Sequence, residues 1–337
     1  MTEPLLVVDD LSIRYTAPRR PAVRAVEGIS FEVRPGEIVA LVGESGCGKS
    51  TTAMAIMGLL PSTAAVTGRI SVAGRDLVGL PDEAMRELRG NRIGMVFQDP
   101  LTSLDPSFSI GDQIAATVRA HGGSGPQARR RAIELLAEVG IPAPEERYGD
   151  PPHRFSGGMR QRVVIAAAIA NNPALLLADE PTTALDVTIQ AQILALLRTL
   201  RDTHGTGILL IAHDLGVVAQ LADRVGVMYA GQLVETASVE AIFAAPRHPY
   251  TRALLAAQPT GAQQAGTLQV IEGQVPDLTA PPPGCRFAPR CPLVHEACVM
   301  LPPLADDGAG HRVACWATEQ TRRAAGRPEA TSTAGAS

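Results

Sequence analysis

The stretch Gly43-Glu-Ser-Gly-Cys-Gly48-Lys49-Ser50 constrains this chain more than any other part of it. It follows the apolar run Glu37-Ile-Val-Ala-Leu-Val42 and precedes a helical run from about Ser50 to Leu60. Strand, glycine loop and helix in that order predict a buried parallel strand leading into a phosphate-binding loop. Glycines let backbone N–H groups turn inward around phosphate oxygens, and the helix points the positive end of its dipole at them. Lys49 is expected to reach the β- and γ-phosphates, and the Ser50 hydroxyl to ligate Mg²⁺. Gly43, Glu44, Ser45, Gly46, Cys47, Gly48, Lys49, Ser50 and Thr51 are therefore candidate contacts to ATP and Mg²⁺. An isolated match also fits a glycine-rich turn, so further elements have to decide.

Composition adds one sharp fact. Lys49 is the only lysine, and the other 29 basic residues are all Arg. Codon drift explains such a bias but not the survival of one lysine at this position. A compact ammonium fits between phosphates where a planar guanidinium does not. The formal net charge of −4 argues against a large nucleic-acid surface. No apolar run is long enough to span a bilayer and no signal-peptide pattern opens the chain, so cytosolic folding is expected.

Two further elements fall in the order that nucleotide hydrolysis needs. Ala174-Leu-Leu-Leu-Ala178 reads as an apolar strand ending in Asp179-Glu180. Two carboxylates at the carboxyl end of a parallel strand are costly unless they act, though a solvated strand end is the plainer reading. Asp179 suits Mg²⁺ through water, and Glu180 suits the orientation or deprotonation of an attacking water. Upstream, Phe155-Ser-Gly-Gly-Met-Arg-Gln161 leads into a helix. Ser156 is a good N-cap there, and Gly157 and Gly158 leave N–H groups open to an anion.

These motifs make the chain resemble the ATPase subunits of ABC transporters over about residues 4–245. Ser156-Gly157-Gly158 matches the signature, with Phe155 and Met159 as variants at its flanks. Gln98, after Gly94-Met-Val-Phe97, matches the Q-loop, Ala184-Leu185-Asp186 the D-loop, and His213 the switch histidine. Tyr15, just after the first strand, fits the aromatic that stacks on adenine. The resemblance implies an α/β fold: a P-loop, ABC-type nucleotide-binding domain with an inserted helical subdomain and an N-terminal antiparallel β subdomain. It further implies a head-to-tail dimer with a second ATPase subunit, a paralogue or an identical chain. Ser156 and Gly158 would then close on the opposite subunit's ATP. Glu180, His213 and Lys49 would be catalytic. The helical subdomain would press on two transmembrane permease subunits at the cytoplasmic face of the membrane.

The segmental reading agrees with such a domain. Residues 4–14 read as a strand, and a second strand precedes Pro35-Gly36. Gln113–Ala120 and Gln127–Val139 look helical within an insert at about residues 99–158. Helices at Gln161–Ala170 and Val187–Asp202 and a strand at Gly207–Ala212 complete the core. The expected domains are 1–245 for the ATPase and 246–317 for a small Cys-rich C-terminal appendage, with a disordered tail at 318–337.

His248-Pro249-Tyr250 and the Cys-rich appendage resemble the oligopeptide/dipeptide and nickel importer group, its D-type subunit in particular. Peptide delivered by an extracytoplasmic binding protein is the implied cargo, with nickel or another small solute as the alternative. Soluble ABC ATPases of DNA repair or the ribosome are a further class. They usually carry coiled-coil insertions or two ATPase units, and neither is present here.

The cysteines divide unevenly. Cys285, Cys291, Cys298 and Cys315 cluster near the C-terminus, where four thiolates suit Zn²⁺ or an iron–sulfur centre. Their spacing lacks short Cys-x-x-Cys pairs and does not choose; the resemblance favours a [4Fe–4S] cluster of structural role. Cys47 sits alone in the glycine loop, where the helix end and Lys49 are expected to favour its thiolate and expose it to thiol reagents.

Overall fold

The computed structural model describes residues 3–183, 185–258 and 271–318. Ala184 of the expected D-loop, and the expected tail apart from Thr318, lie outside the described residues. The first two strands, β1 (Leu6–Ala17) and β2 (Arg20–Val33), form an antiparallel pair. Then β3 (Ile38–Val42) runs through the interior with every residue buried, and α1 (Lys49–Ile56) follows the glycine loop. Next come β4 (Ala64–Val72), β5 (Arg75–Asp76), the helix α2 (Asp82–Leu88) and β6 (Ile93–Val96). The small sheet has the order β2-β1-β4-β5 and is antiparallel throughout.

The insert after β6 is helical. It holds α3 (Pro100–Ser103), α4 (Ile110–Ala120), α5 (Gly125–Glu138) and α6 (Pro144–Arg147), and ends in α7 (Gly157–Ala168). Its starts are written locally. Ser109 accepts from the Asp112 N–H, and Ser124 with Gln127 makes a capping box. The buried stripe of α4 and α5, including Ile114, Ala132 and Leu136, packs against α7.

The chain then returns to the core through β7 (Leu175–Asp179), α8 (Val187–His204), β8 (Gly207–Ala212) and α9 (Leu215–Leu221). It continues through β9 (Arg224–Tyr229), β10 (Gln232–Ser238), α10 (Val239–Ala244) and α11 (Pro249–Ala256). Two short strands, β11 (Ala305–Asp306) and β12 (Arg312–Val313), close the described chain. The large sheet runs β11-β12-β10-β9-β3-β8-β7-β6. Its members from β9 to β6 are parallel, and the rest are antiparallel. Burial of β3, β7 and β8 on both faces explains their uninterrupted apolar runs.

Two sequence expectations shift here. The first core helix ends at Ile56, short of the expected Leu60, because the chain turns through Gly58 at φ 61°. The C-terminal region is also tied into the fold. Its β12 pairs with β10, matching Val313 to Glu235. Buried Glu235 accepts the N–H groups of Arg247 and His248 and meets His311 Nε2 at 2.7 Å.

Candidate functional site

The parallel strands all point their carboxyl ends to one side, and the order β3-β8-β7-β6 sets four loops in a row. The glycine loop follows β3, His213 follows β8, Asp179-Glu180 ends β7, and Gln98 follows β6. Ligands of open α/β sheets bind at this edge.

Backbone geometry makes the cradle. Gly43 has φ 153° and Gly48 φ 104°, where side-chain-bearing residues are strained. A Cβ on Gly43 would lie 2.1 Å from the Met228 carbonyl oxygen, and one on Gly48 would lie 2.6 Å from that of Ala25. The first turn of α1 has no side-chain cap and no acidic residue. Its positive end is uncompensated, with cationic Lys49 at its first position, an arrangement that an anion would stabilise. Lys49 is 5% exposed, and its Nζ donates to the Gly43 and Glu44 carbonyls at 2.7 and 3.1 Å. Ser45 and Gly46 are exposed at the loop tip, and Thr51 is half-buried on α1.

Ser50 Oγ donates to Asp179 Oδ1 at 3.0 Å. Burial, foremost, and the neighbouring Glu180 push the Asp179 carboxyl up, against the Ser50 hydrogen bond and Lys49. A hydroxyl beside a desolvated carboxylate is the hard-oxygen donor set that Mg²⁺ takes, so the residues fit that ion.

Glu180 is the hub. Gln98 Nε2, Thr183 Oγ1 and His213 Nδ1 reach its Oε2 at 3.0, 2.9 and 3.1 Å. Its backbone takes φ 46°, an uncommon value for a non-glycine residue, while its N–H donates to the Ile211 carbonyl at 2.9 Å. Thr183 is a site residue that the sequence reading passed over. The available signal was its position three residues after Glu180.

The signature residues lie elsewhere on this chain. Ser156 caps α7 by accepting from the Met159 N–H, Gly157 is exposed, and Gly158 is buried against Ile189 of α8. Asp186 caps α8 by accepting from the Ile189 N–H at 3.0 Å. Signature and D-loop segments thus meet through Ile189. Tyr15 is half-buried in β1, across from Val23 of β2 and Ala64 of β4.

One expectation needs correction. Cys47 is 1% exposed, and burial, outweighing Lys49 at 3.7 Å from its Sγ, pushes the thiol up from its ordinary value. The expected reactive thiolate gives way to a packed neutral thiol. The four C-terminal cysteines do come near one another. Cys315 is pushed up to about 11 by burial first and then by Cys285, Cys291 and Cys298. Yet among the described residues no group of three or more His, Cys, Asp or Glu side chains is set to hold a metal ion. His295 Nδ1 lies 3.1 Å from Cys298 Sγ, and Cys291 Sγ accepts the Leu293 N–H at 3.4 Å. Thiols are the soft donors that Zn²⁺ and iron–sulfur centres take, so the residue types suit such a centre although no formed site stands among the described residues.

Comparison with known proteins settles the family. Residues 26–183 match the family described as ABC transporter. Residues 234–298 match the oligopeptide/dipeptide transporter C-terminal region. The dipeptide transport ATP-binding protein DppD of Bacillus subtilis is 48% identical, covering 94% of this chain and 96% of its own. The chain belongs to the ABC transporter ATP-binding family. Oligopeptide transport ATP-binding protein OppD of Mycobacterium tuberculosis is 53% identical over 94% of this chain. The chain spans only about half, 52%, of that relative's length. Among solved structures, the dimeric ATP-binding cassette MJ0796 in a post-hydrolysis state bound to ADP and Pi aligns with a TM-score of 0.62. The two are 28% identical, over 69% of this chain and 98% of that one.

Proposed function

We propose that this chain binds and hydrolyses ATP to power an importer of oligopeptides or dipeptides. The observation that carries the hydrolytic reading is the convergence of Gln98, Thr183 and His213 on one oxygen of Glu180, one residue past the Asp179–Ser50 pair. The peptide reading draws support from the C-terminal match and the names of the relatives.

Lys49 and the N–H groups of the glycine loop hold the triphosphate, with Lys49 turning from loop carbonyls to phosphate oxygens. Ser50 and Asp179 hold Mg²⁺, which supplies charge neutralisation at the phosphates when bound. Gln98, Thr183 and His213 fix Glu180 through Oε2. Its Oε1 has no hydrogen-bond partner among the described residues and is left to orient the attacking water and take its proton. Tyr15 stacks on the adenine. Ser156, Gly157 and Gly158 close on the ATP of a second ATPase subunit, and Asp186 lies at the same junction.

Among the described residues no helix is long and apolar enough to cross a membrane. Exposed Leu101 (64%) and Phe108 (58%) on the helical insert offer apolar contact to two permease subunits, which set the chain peripherally at the cytoplasmic face. Cargo arrives from an extracytoplasmic binding protein. The assembled complex in proteoliposomes should show peptide-stimulated ATPase activity and uptake, both lost in Lys49→Ala. Stimulation by Ni²⁺ and not by peptide would overturn the cargo assignment.

The four cysteines remain the place for a structural [4Fe–4S] cluster or Zn²⁺, supported by their mutual proximity. Anaerobically purified chain should contain iron and acid-labile sulfide. Zinc alone would replace the cluster, and metal-free folded protein would remove both.

A further inference from the structure

We infer that Arg290 and Tyr250 are positioning residues of the phosphate-binding loop, holding the Glu44 carboxylate away from the nucleotide phosphates. The inference rests on the nucleotide-site reading above and deepens it. Arg290 lies 246 residues from Glu44, yet its Nη1 and Nη2 donate to the two carboxylate oxygens at 2.8 and 3.1 Å. The remaining donors are also engaged. Nη1 reaches the Tyr229 hydroxyl at 3.3 Å, Nη2 the Ile271 carbonyl at 3.0 Å, and Nε the Glu272 carbonyl at 2.9 Å. The guanidinium is thus fixed by the C-terminal region before it meets Glu44. Its side chain is 4% exposed, against 27% for Glu44.

A second contact comes from α11. The Glu44 N–H donates to the Tyr250 hydroxyl at 2.9 Å. Tyr250 is fully buried, its ring against Tyr229 and Phe287. Both ends of Glu44, backbone and carboxylate, are therefore held by residues beyond position 245.

The electrostatics explain why this matters. A glycine loop that must accept a polyanion carries a carboxylate at its second residue, with Lys49 as its sole cation. Bidentate pairing cancels the Glu44 charge and aims it outward. Without Arg290 the carboxylate stands unpaired beside the phosphates, and like-charge repulsion weakens nucleotide binding. Arg suits this task better than Lys because its planar fork matches both oxygens.

Binding of a fluorescent ATP analogue with Mg²⁺ to the full chain tests this. Arg290→Met should raise Kd about tenfold, a discount on the loss expected for a fully buried pair. Arg290→Lys should fall between it and wild type. Glu44→Gln placed in the Arg290→Met chain should restore Kd to within about twofold of wild type, since the adverse charge is gone. Tyr250→Phe, which keeps the ring and removes the acceptor, should raise Kd several-fold. Unchanged Kd in Arg290→Met, or no restoration by Glu44→Gln in chains that melt like wild type, overturns the assignment. If Arg290→Met does not fold, unchanged Kd in Arg290→Lys and Tyr250→Phe overturns it equally. Wild-type binding that Lys49→Ala abolishes establishes the nucleotide site itself, so failure of the Arg290 series then falls on this inference alone.

Discussion

Replacing Gly158 by Ala tests the packing that joins the signature segment to the D-loop helix. A Cβ there would lie 2.4 Å from Ile189 Cγ2, closer than real contacts allow. The obstacle is a β-branched methyl on an 18-residue helix, where χ1 has little freedom to yield. Overpacking of this kind costs about 1–3 kcal/mol. Replacing a helical glycine by alanine returns roughly 0.8–1.0 kcal/mol, so the net loss should be about 1 kcal/mol. Gly157 is the internal control, because a Cβ there meets only Leu185 Cδ2 at 4.0 Å. Gly157→Ala should therefore be neutral or slightly stabilising. Scanning calorimetry should show Gly158→Ala melting roughly 2–4 °C below wild type. In the Ile189→Ala background the same change should lose its penalty. Equal melting temperatures for Gly157→Ala and Gly158→Ala would refute the steric account.

Cys47→Ala should keep ATPase activity while losing about 1 kcal/mol of stability, since a packed thiol is removed from the core. Its buried, neutral state also predicts slow labelling by bulky thiol reagents in the folded chain, checked by mass spectrometry; rapid labelling without unfolding would contradict the burial. Burial lowers His248 to about 3 from its ordinary value, and its Nδ1 accepts the Tyr250 N–H at 3.0 Å, which requires a neutral ring. The unfolded chain binds this proton below about pH 6.5 while the folded chain refuses it, so stability is full above that pH and falls as pH drops toward 3. The titratable neighbours are Glu235, which accepts the His248 backbone N–H, and its partner His311. His248→Gln should flatten the pH dependence of the melting temperature between about pH 6.5 and 5, and an unchanged slope would show that another group sets it.

Three strands of the parallel core, Ile38–Val42, Leu175–Asp179 and Gly207–Ala212, were legible as short apolar runs bounded by glycine or acidic residues and are buried throughout, whereas Ile93–Val96 and Arg224–Tyr229 were not identified as strands. Glu180 was legible from the apolar strand before it, and Gln98 and His213 through the family resemblance carried by the motifs taken together in order. Their meeting on a single carboxylate oxygen is a product of strand order, which no local pattern encodes. The helix Pro249–Ala256 was not legible, because it lies in a proline-rich stretch and is started by a histidine side chain, that of His248. The two-residue strands β11 and β12 are too short to show a period, and their attachment to β10 joins segments far apart in sequence. The state of Cys47 escapes a sequence reading because its nearest charge is visible there and its burial is not.

The central claim is that Glu180 acts in the chemical step and leaves nucleotide binding to Lys49 and the glycine loop. The most direct measurement is ATP turnover and ATP affinity of Glu180→Gln in the assembled complex. The variant keeps the size of the side chain and its acceptor oxygen while removing the base. The expected result is ATP affinity within about twofold of wild type and turnover lowered by about 10²–10⁴-fold, the usual worth of a positioned general base. Near-wild-type turnover, with affinity unchanged, would contradict the account.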